Sequence, residues 1–281
     1  MKLIECPRDA MQGLHDFIPT DLKASYINQL LKVGFDTIDF GSFVSPKAIP
    51  QLRDTAEVLA QLDLSSTKTK LLAIVANIRG VEDAVKHQEI SYLGFPFSVS
   101  ETFQQRNTNS SIEQSLITVE EMLNLCDKHQ KTAVVYLSMG FGNPYGDEWN
   151  ADILAHWANE LVKRGVKILS LADTTGVSTP EKITMLLPFL MKSFKETEIG
   201  IHLHSTPQTR LEKIEAAYKA GCTRFDSALK GFGGCPMASD DLTGNMATED
   251  LISYLESKNV SLNLNMDEWQ KAMLLSSAVF H

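Results

Sequence analysis

Short apolar runs alternate with longer stretches spaced by three and four along the whole chain. Read as strands, the runs fall near Leu3–Cys6, Thr37–Phe40, Lys70–Ala76, Glu89–Phe95, Thr132–Ser138, Val166–Leu171, Glu198–His204 and Thr223–Ala228. Ile112, Leu116, Val119, Leu123 and Cys126 mark one face of a helix, and Leu211, Ile214 and Tyr218 mark another before the stop at Gly221. Pro180-Glu181 opens a further helix with Thr179 as its N-cap. Strand and helix alternate without a low-complexity linker or a break in composition, the pattern of βα units around a parallel sheet. The expectation is an α/β fold, one closed (β/α)8 TIM barrel spanning residues 1–281 as a single domain. An open doubly wound sheet is the alternative, but no Gly-x-Gly-x-x-Gly turn follows the first strand.

Composition narrows the class further. The 281 residues are 43% hydrophobic and 22% charged, enough to bury a large core. Net charge of −9 argues against non-specific nucleic-acid binding. No window approaches the roughly 20 apolar residues of a membrane span, and no signal peptide is visible before the first strand. Cys6, Cys126, Cys222 and Cys235 form no Cys-x-x-Cys pair, so reduced thiols in a cytoplasmic protein are expected. The apolar end through Val279-Phe280-His281 packs either on the barrel or on a second copy in a homo-oligomer.

Barrel chemistry gathers at the carboxyl ends of the strands. Just past the strands stand Pro7-Arg8-Asp9, Gly41-Ser42, Asn77, Gly140–Asp147, Asp173–Gly176, His204–Thr206 and Gly231–Cys235; the fourth junction adds mainly aromatics and Ser98. In His202-Leu203-His204 the two imidazoles share one face of a strand. An isolated His-x-His is more often structural than metal-binding. Here, however, Asp9 from the first junction faces the pair across the mouth. One carboxylate and two imidazoles suit Mg2+ or Mn2+, and Zn2+ less well, with positions open for Lewis-acid chemistry. Asn245 adds a neutral amide oxygen or serves as a turn residue. Three glycines in Gly231-Phe232-Gly233-Gly234 predict a pliable loop carrying Cys235, a proton donor or an inconsequential thiol. Asp173 reads as a base, a holder of a substrate hydroxyl, or a cap on its own turn. Arg8 offers a planar fork to a carboxylate or thioester oxygen, or pairs with Asp39 or Glu5.

These motifs together resemble the 3-hydroxy-3-methylglutaryl-CoA (HMG-CoA) lyase family, over nearly the whole chain. Cys-Pro-Arg-Asp-Ala-Met-Gln (6–12) is similar to the family's Gly-Pro-Arg-Asp-Gly-Leu-Gln. Ser-Phe-Val-Ser-Pro-Lys (42–47), Phe-Asp-Ser-Ala-Leu (225–229), Gly-Gly-Cys-Pro (233–236) and Gly-Asn-Met-Ala-Thr-Glu-Asp (244–250) fit as well. Ser98–Glu101 with Asn107 and Asn109 resembles a loop near the family's substrate. The resemblance implies that Asp9, His202, His204 and Asn245 bind a divalent ion, that Arg8 stands beside the reacting carbonyl, and that Cys235 is the catalytic thiol. It suggests Ser42, Tyr136, Ser170 and Asp173 as substrate contacts; Gln12 and Asp39 are expected beside them, and Asp173 is also expected to act in catalysis, as a base. The implied reaction cleaves an acyl-CoA thioester, HMG-CoA or a close analogue, to acetyl-CoA and acetoacetate. A related metal-dependent aldolase or acyl-CoA condensing enzyme is the alternative, and a non-catalytic barrel scaffold ranks below both. Three features depart from the family pattern. The first strand is one residue shorter before Arg8, Asp39 replaces a longer Glu, and Ser205-Thr206-Pro207 replaces Asp-Thr-Tyr.

Overall fold

The computed structural model describes residues 1–234 and 243–280. Eight parallel strands close into a barrel in chain order: β1 (Lys2–Glu5), β2 (Thr37–Ser42), β3 (Lys70–Ile74), β4 (Ile90–Ser98), β5 (Thr132–Ser138), β6 (Ile168–Asp173), β7 (Glu198–Leu203) and β8 (Arg224–Ser227). β8 pairs with β1, with Asp226 beside Ile4 and Ser227 beside Glu5. That closing ladder rules out the open doubly wound sheet.

Strand ends differ from the sequence expectation where they matter for chemistry. β4 continues past Phe95, because Pro96 fits opposite Tyr136 without its missing N–H and pairing runs on to Ser98 opposite Ser138. β2 and β6 reach Ser42 and Asp173, so both residues are held by sheet rather than by loop. β1 stops at Glu5, and the helix Pro7–Gln12 begins at once with proline in its first turn. Arg8 and Asp9 therefore sit on a short helix instead of the loop expected.

Helix faces also shift. Ile112–Lys128 buries Ile112, Leu116, Val119 and Cys126 as expected, with Met122 rather than Leu123 fully inside. On Arg210–Lys219 the expected face rotates: Leu211 is 57% exposed while Lys213 is 2% exposed. The Lys213 ammonium has three oxygens to bond, two of them buried, which offset the cost of burying it. At the C-terminal end, helix Met266–Val279 packs against Thr20–Val33, and Phe280 meets Tyr26 edge-on and stacks on Phe232 at 4.6 Å. The apolar end thus packs on its own barrel.

The main apolar core lies between barrel and helices; Leu72, Ile74, Val134, Tyr136 and Ile168 form a smaller one inside the barrel. Buried polar residues, among them Asp39, Ser170, Arg224 and Asp226, share the interior. Gly200 admits Arg224, since a Cβ there would stand 2.8 Å from the arginine Cδ. Among the described residues, no helix is long and apolar enough to cross a membrane.

Candidate metal centre and active site

β7 carries His202 at its end, and the backbone pairing of His204 with Asn245 extends the same edge. The helix after β1 brings Asp9 opposite. One ligand atom from each of Asp9, His202 and His204 falls within 4.8 Å of the other two, and all three residues are buried. The imidazole centroids are 5.3 Å apart. Asn245 joins the group, donating from Nδ2 to Asp9 Oδ2 at 2.7 Å and to the Phe232 carbonyl at 2.8 Å. As a metal ligand it would offer Oδ1; as placed, it also orients the Asp9 carboxylate.

The electrostatics fit a cation. Burial alone would raise the Asp9 carboxyl, but Arg8, the two imidazoles and the Asn245 amide outweigh it and hold it down at about 2. Burial, reinforced by His202, pushes His204 down to about 4, leaving its ring neutral with a lone pair near pH 7. Burial also opposes charge on His202, yet the hydrogen bond to Asp226 and the nearby Asp9 raise it above the usual value. His202 Nδ1 lies 3.3 Å from Asp226 Oδ2, a carboxylate–histidine contact that fixes the ring and leaves the second nitrogen for an ion. An ionised carboxylate and two buried imidazoles thus form a donor set that suits a divalent ion.

Arg8 is clamped beside this set. Its Nη1 donates to Asp9 Oδ1 at 2.9 Å and to Gln12 Oε1 at 3.0 Å, while Nε and Nη2 fork onto Asp39. Burial works against its charge, but Asp39 and Asp9 keep it protonated. Gln12 Nε2 returns to Asp9 Oδ1 at 2.7 Å. Together these contacts form a rigid, preorganised cation at the mouth.

A cleft of about 380 Å³ opens over the group, lined in part by Arg8, Asp9, Gln12, Ser42, Tyr136 and both histidines. Ser42 Oγ donates to the Ile74 carbonyl and accepts from Val44 N–H. Tyr136 stands edge-on to His202 at 5.8 Å. Arg106, Asn107 and Asn109 form the outer wall, where the motif resemblance placed a substrate loop.

Other expected site residues fall elsewhere. Asp39 is wholly buried behind Arg8. Ser170 is buried in the barrel interior beside Tyr136, away from the cleft lining. Asp173 turns away from the cleft and spends both oxygens, accepting from Ser178 N–H, Ser178 Oγ and Lys213 Nζ. Of the three roles expected for Asp173, these contacts fit the cap on its own turn, with three donors on its two oxygens. Cys235 lies outside the described residues. Gly233, two positions before it, packs against the site: a Cβ there would stand 2.7 Å from the Asp9 carbonyl oxygen and from Asn245 Nδ2.

Sequence reasoning missed three residues. Asp226 stands in the sequence only as part of the Phe-Asp-Ser-Ala-Leu motif; the register opposite His202 is the signal that assigns it. Lys213 was hidden by the helix-face reading. Arg106 lacked any pattern beyond its nearness to Asn107.

The profile of the HMGL-like family matches residues 3–275. The chain belongs to the HMG-CoA lyase family. It is 35% identical to hydroxymethylglutaryl-CoA lyase YngG of Bacillus subtilis, over 97% of this chain and 88% of that one. It is 33% identical to the cytoplasmic 3-hydroxy-3-methylglutaryl-CoA lyase of Rattus norvegicus, over 97% and 79%. Among solved structures, an HMG-CoA lyase from Acenitobacter baumannii in complex with coenzyme A and 3-methylmalate superposes with a TM-score of 0.91 at 30% identity, covering 99% of this chain and 90% of that one. That barrel and the described residues of this one share their architecture.

Proposed function

We propose that the protein is a divalent-metal-dependent carbon–carbon lyase that cleaves HMG-CoA, or a close analogue, to acetyl-CoA and acetoacetate. The observation that carries this reading is the meeting of Asp9, His202 and His204 under a cleft that also exposes Arg8. Membership of the lyase family and the coenzyme A bound by a relative support an acyl-CoA substrate. Asp9, His202, His204 and Asn245 hold the ion, with Mg2+ or Mn2+ favoured by the oxygen and imidazole donors. When bound, the ion supplies Lewis-acid polarisation of the substrate's tertiary hydroxyl.

Arg8 faces the thioester and stabilises the enolate charge that develops as the bond breaks. A clamped guanidinium suits this role because it needs no reorganisation during the reaction. Gln12 and Asp39 hold it in place. Ser42 and Tyr136 contact the acyl group, and Arg106 on the outer wall offers a cation to the phosphates of coenzyme A. As the bond breaks the tertiary hydroxyl's proton passes to water in the open cleft, and Cys235 delivers the proton that turns the enolate carbon into a methyl group, its thiolate being reprotonated from solvent. Asp173 stays outside the proton path, because Ser178 and Lys213 brace it and it does not line the cleft.

The test supplies HMG-CoA with Mg2+ or Mn2+, with and without chelator, and assays acetoacetate. Product that requires the ion is expected. No product with either ion, or product unaffected by chelator, would overturn the reading.

A further inference from the structure

Beneath the Asp9–His202–His204 set lies a second group of ligating side chains. Cys6 after β1, His202 on β7 and Asp226 on β8 each bring one ligand atom to within 4.8 Å of the other two, and all three are buried. Asp226 Oδ1 is buried and has no hydrogen-bond partner among the described residues. Among the described residues, Cys6 Sγ has only a long contact, 3.6 Å to the Ile4 carbonyl oxygen. The lyase reaction proposed above needs neither atom. Cys6 also stands where the family motif has glycine, so this thiol belongs to the present chain.

We propose that Cys6, His202 and Asp226 form a second, thiolate-containing site for a borderline or soft divalent ion of the Zn2+, Co2+ or Cd2+ class. Sulfur selects such ions over Mg2+ and Mn2+. A thiolate and a carboxylate together neutralise a dication, which the barrel interior requires more strictly than the solvated mouth does. On binding, the Cys6 S–H bond is replaced by a sulfur–metal bond and one proton leaves to solvent, with no change of oxidation state.

The shared imidazole makes the two sites alternatives. A neutral ring has one lone pair. While Nδ1 carries the proton and donates to Asp226, the lone pair on Nε2 serves the outer set. An ion bound through Nδ1 moves the ring proton to Nε2 and removes His202 from the outer set. Ions of the zinc class are therefore expected to oppose the activating ion by changing one tautomer.

Co2+ titration of the full chain tests the site, because cobalt–thiolate ligation produces an intense near-ultraviolet charge-transfer band. The band is expected in the wild type and in Cys235→Ala, and is expected to vanish in Cys6→Ala while Mn2+ binding persists. Absence of the band in the wild type, its survival in Cys6→Ala, or its loss in Cys235→Ala would overturn the proposal and leave the outer-site reading intact. Anomalous diffraction from Zn2+-loaded wild-type crystals decides without any variant. A peak within bonding distance of Cys6 Sγ supports the site, and a peak confined to Asp9 and His204 overturns it.

Discussion

Two buried carboxylate–cation groups stand at the mouth of the barrel, and they differ in where their bonding capacity points. In one, Arg8 is held between Asp9 and Asp39, and Arg8, Asp9 and Gln12 all line the cleft. In the other, Lys213 bonds Asp173 at 2.9 Å, the His204 carbonyl at 2.8 Å and the Gly176 carbonyl at 3.1 Å, while Ser178 takes what remains of Asp173. Neither Asp173 nor Lys213 lines the cleft. The same pairing thus leaves a face open to the cleft in one place and makes a brace in the other. A carboxylate at the end of a barrel strand does chemistry only if its partners leave something facing the cavity.

The largest expected effect falls on the brace. Asp173→Asn leaves the Lys213 ammonium buried without its counter-charge, a loss of about 3–5 kcal/mol in stability. Thermal melting should show a large fall in Tm, and adding Lys213→Met should recover much of it by removing the stranded charge. A variant that melts like the wild type yet loses turnover would reverse the comparison and return Asp173 to the proton path. Next comes the reactive face. Arg8→Gln should lower kcat by about 10²- to 10³-fold with only a small change in KM, because the lost charge acts mainly in the transition state. Wild-type turnover in steady-state assays would remove Arg8 from its proposed role. A smaller effect is expected one step behind the ligands: Asp226→Asn should weaken Mn2+ binding by about 10- to 100-fold in calorimetric titration, through the orientation of His202.

Much of this was legible in the sequence. Every strand was located because alternation between apolar runs and three-four spacing survives in single residues, and His202, His204 and Asp9 followed from strand parity and barrel geometry. What stayed hidden depends on partners distant in the chain. Lys213 occupies a core position that only the oxygens of Asp173, Gly176 and His204 make tolerable, so no local pattern marks it. Asp226 gains its role from lying opposite His202, a register that no short window contains. The Ser205 hydroxyl likewise finds its contact far along the chain, at Met246 Sδ 3.9 Å away.

Glu5 supplies a third carboxylate that sharpens the contrast. At the end of β1 it is fully buried against the segments flanking the glycine run, accepting from Leu229 N–H at 2.8 Å and Thr248 Oγ at 2.6 Å, with no cation bonded to it among the described residues. Burial, only partly offset by those two donors, raises its carboxyl from 4.5 to about 8. Between those values the folded protein keeps a proton that the unfolded chain has released. The resulting stabilisation is complete below pH 4.5 and is lost as pH rises toward about 8. The slope reaches at most about 1.4 kcal/mol per pH unit. Glu5→Gln keeps the shape of the side chain but cannot titrate, so its unfolding free energy should lack this decline. Urea unfolding of both proteins from about pH 5 to about pH 8 reads the difference directly. Parallel curves would mean that Glu5 is ionised in the folded protein and that two hydrogen-bond donors alone can brace a buried carboxylate, making the ammonium beside Asp173 less necessary than the comparison requires.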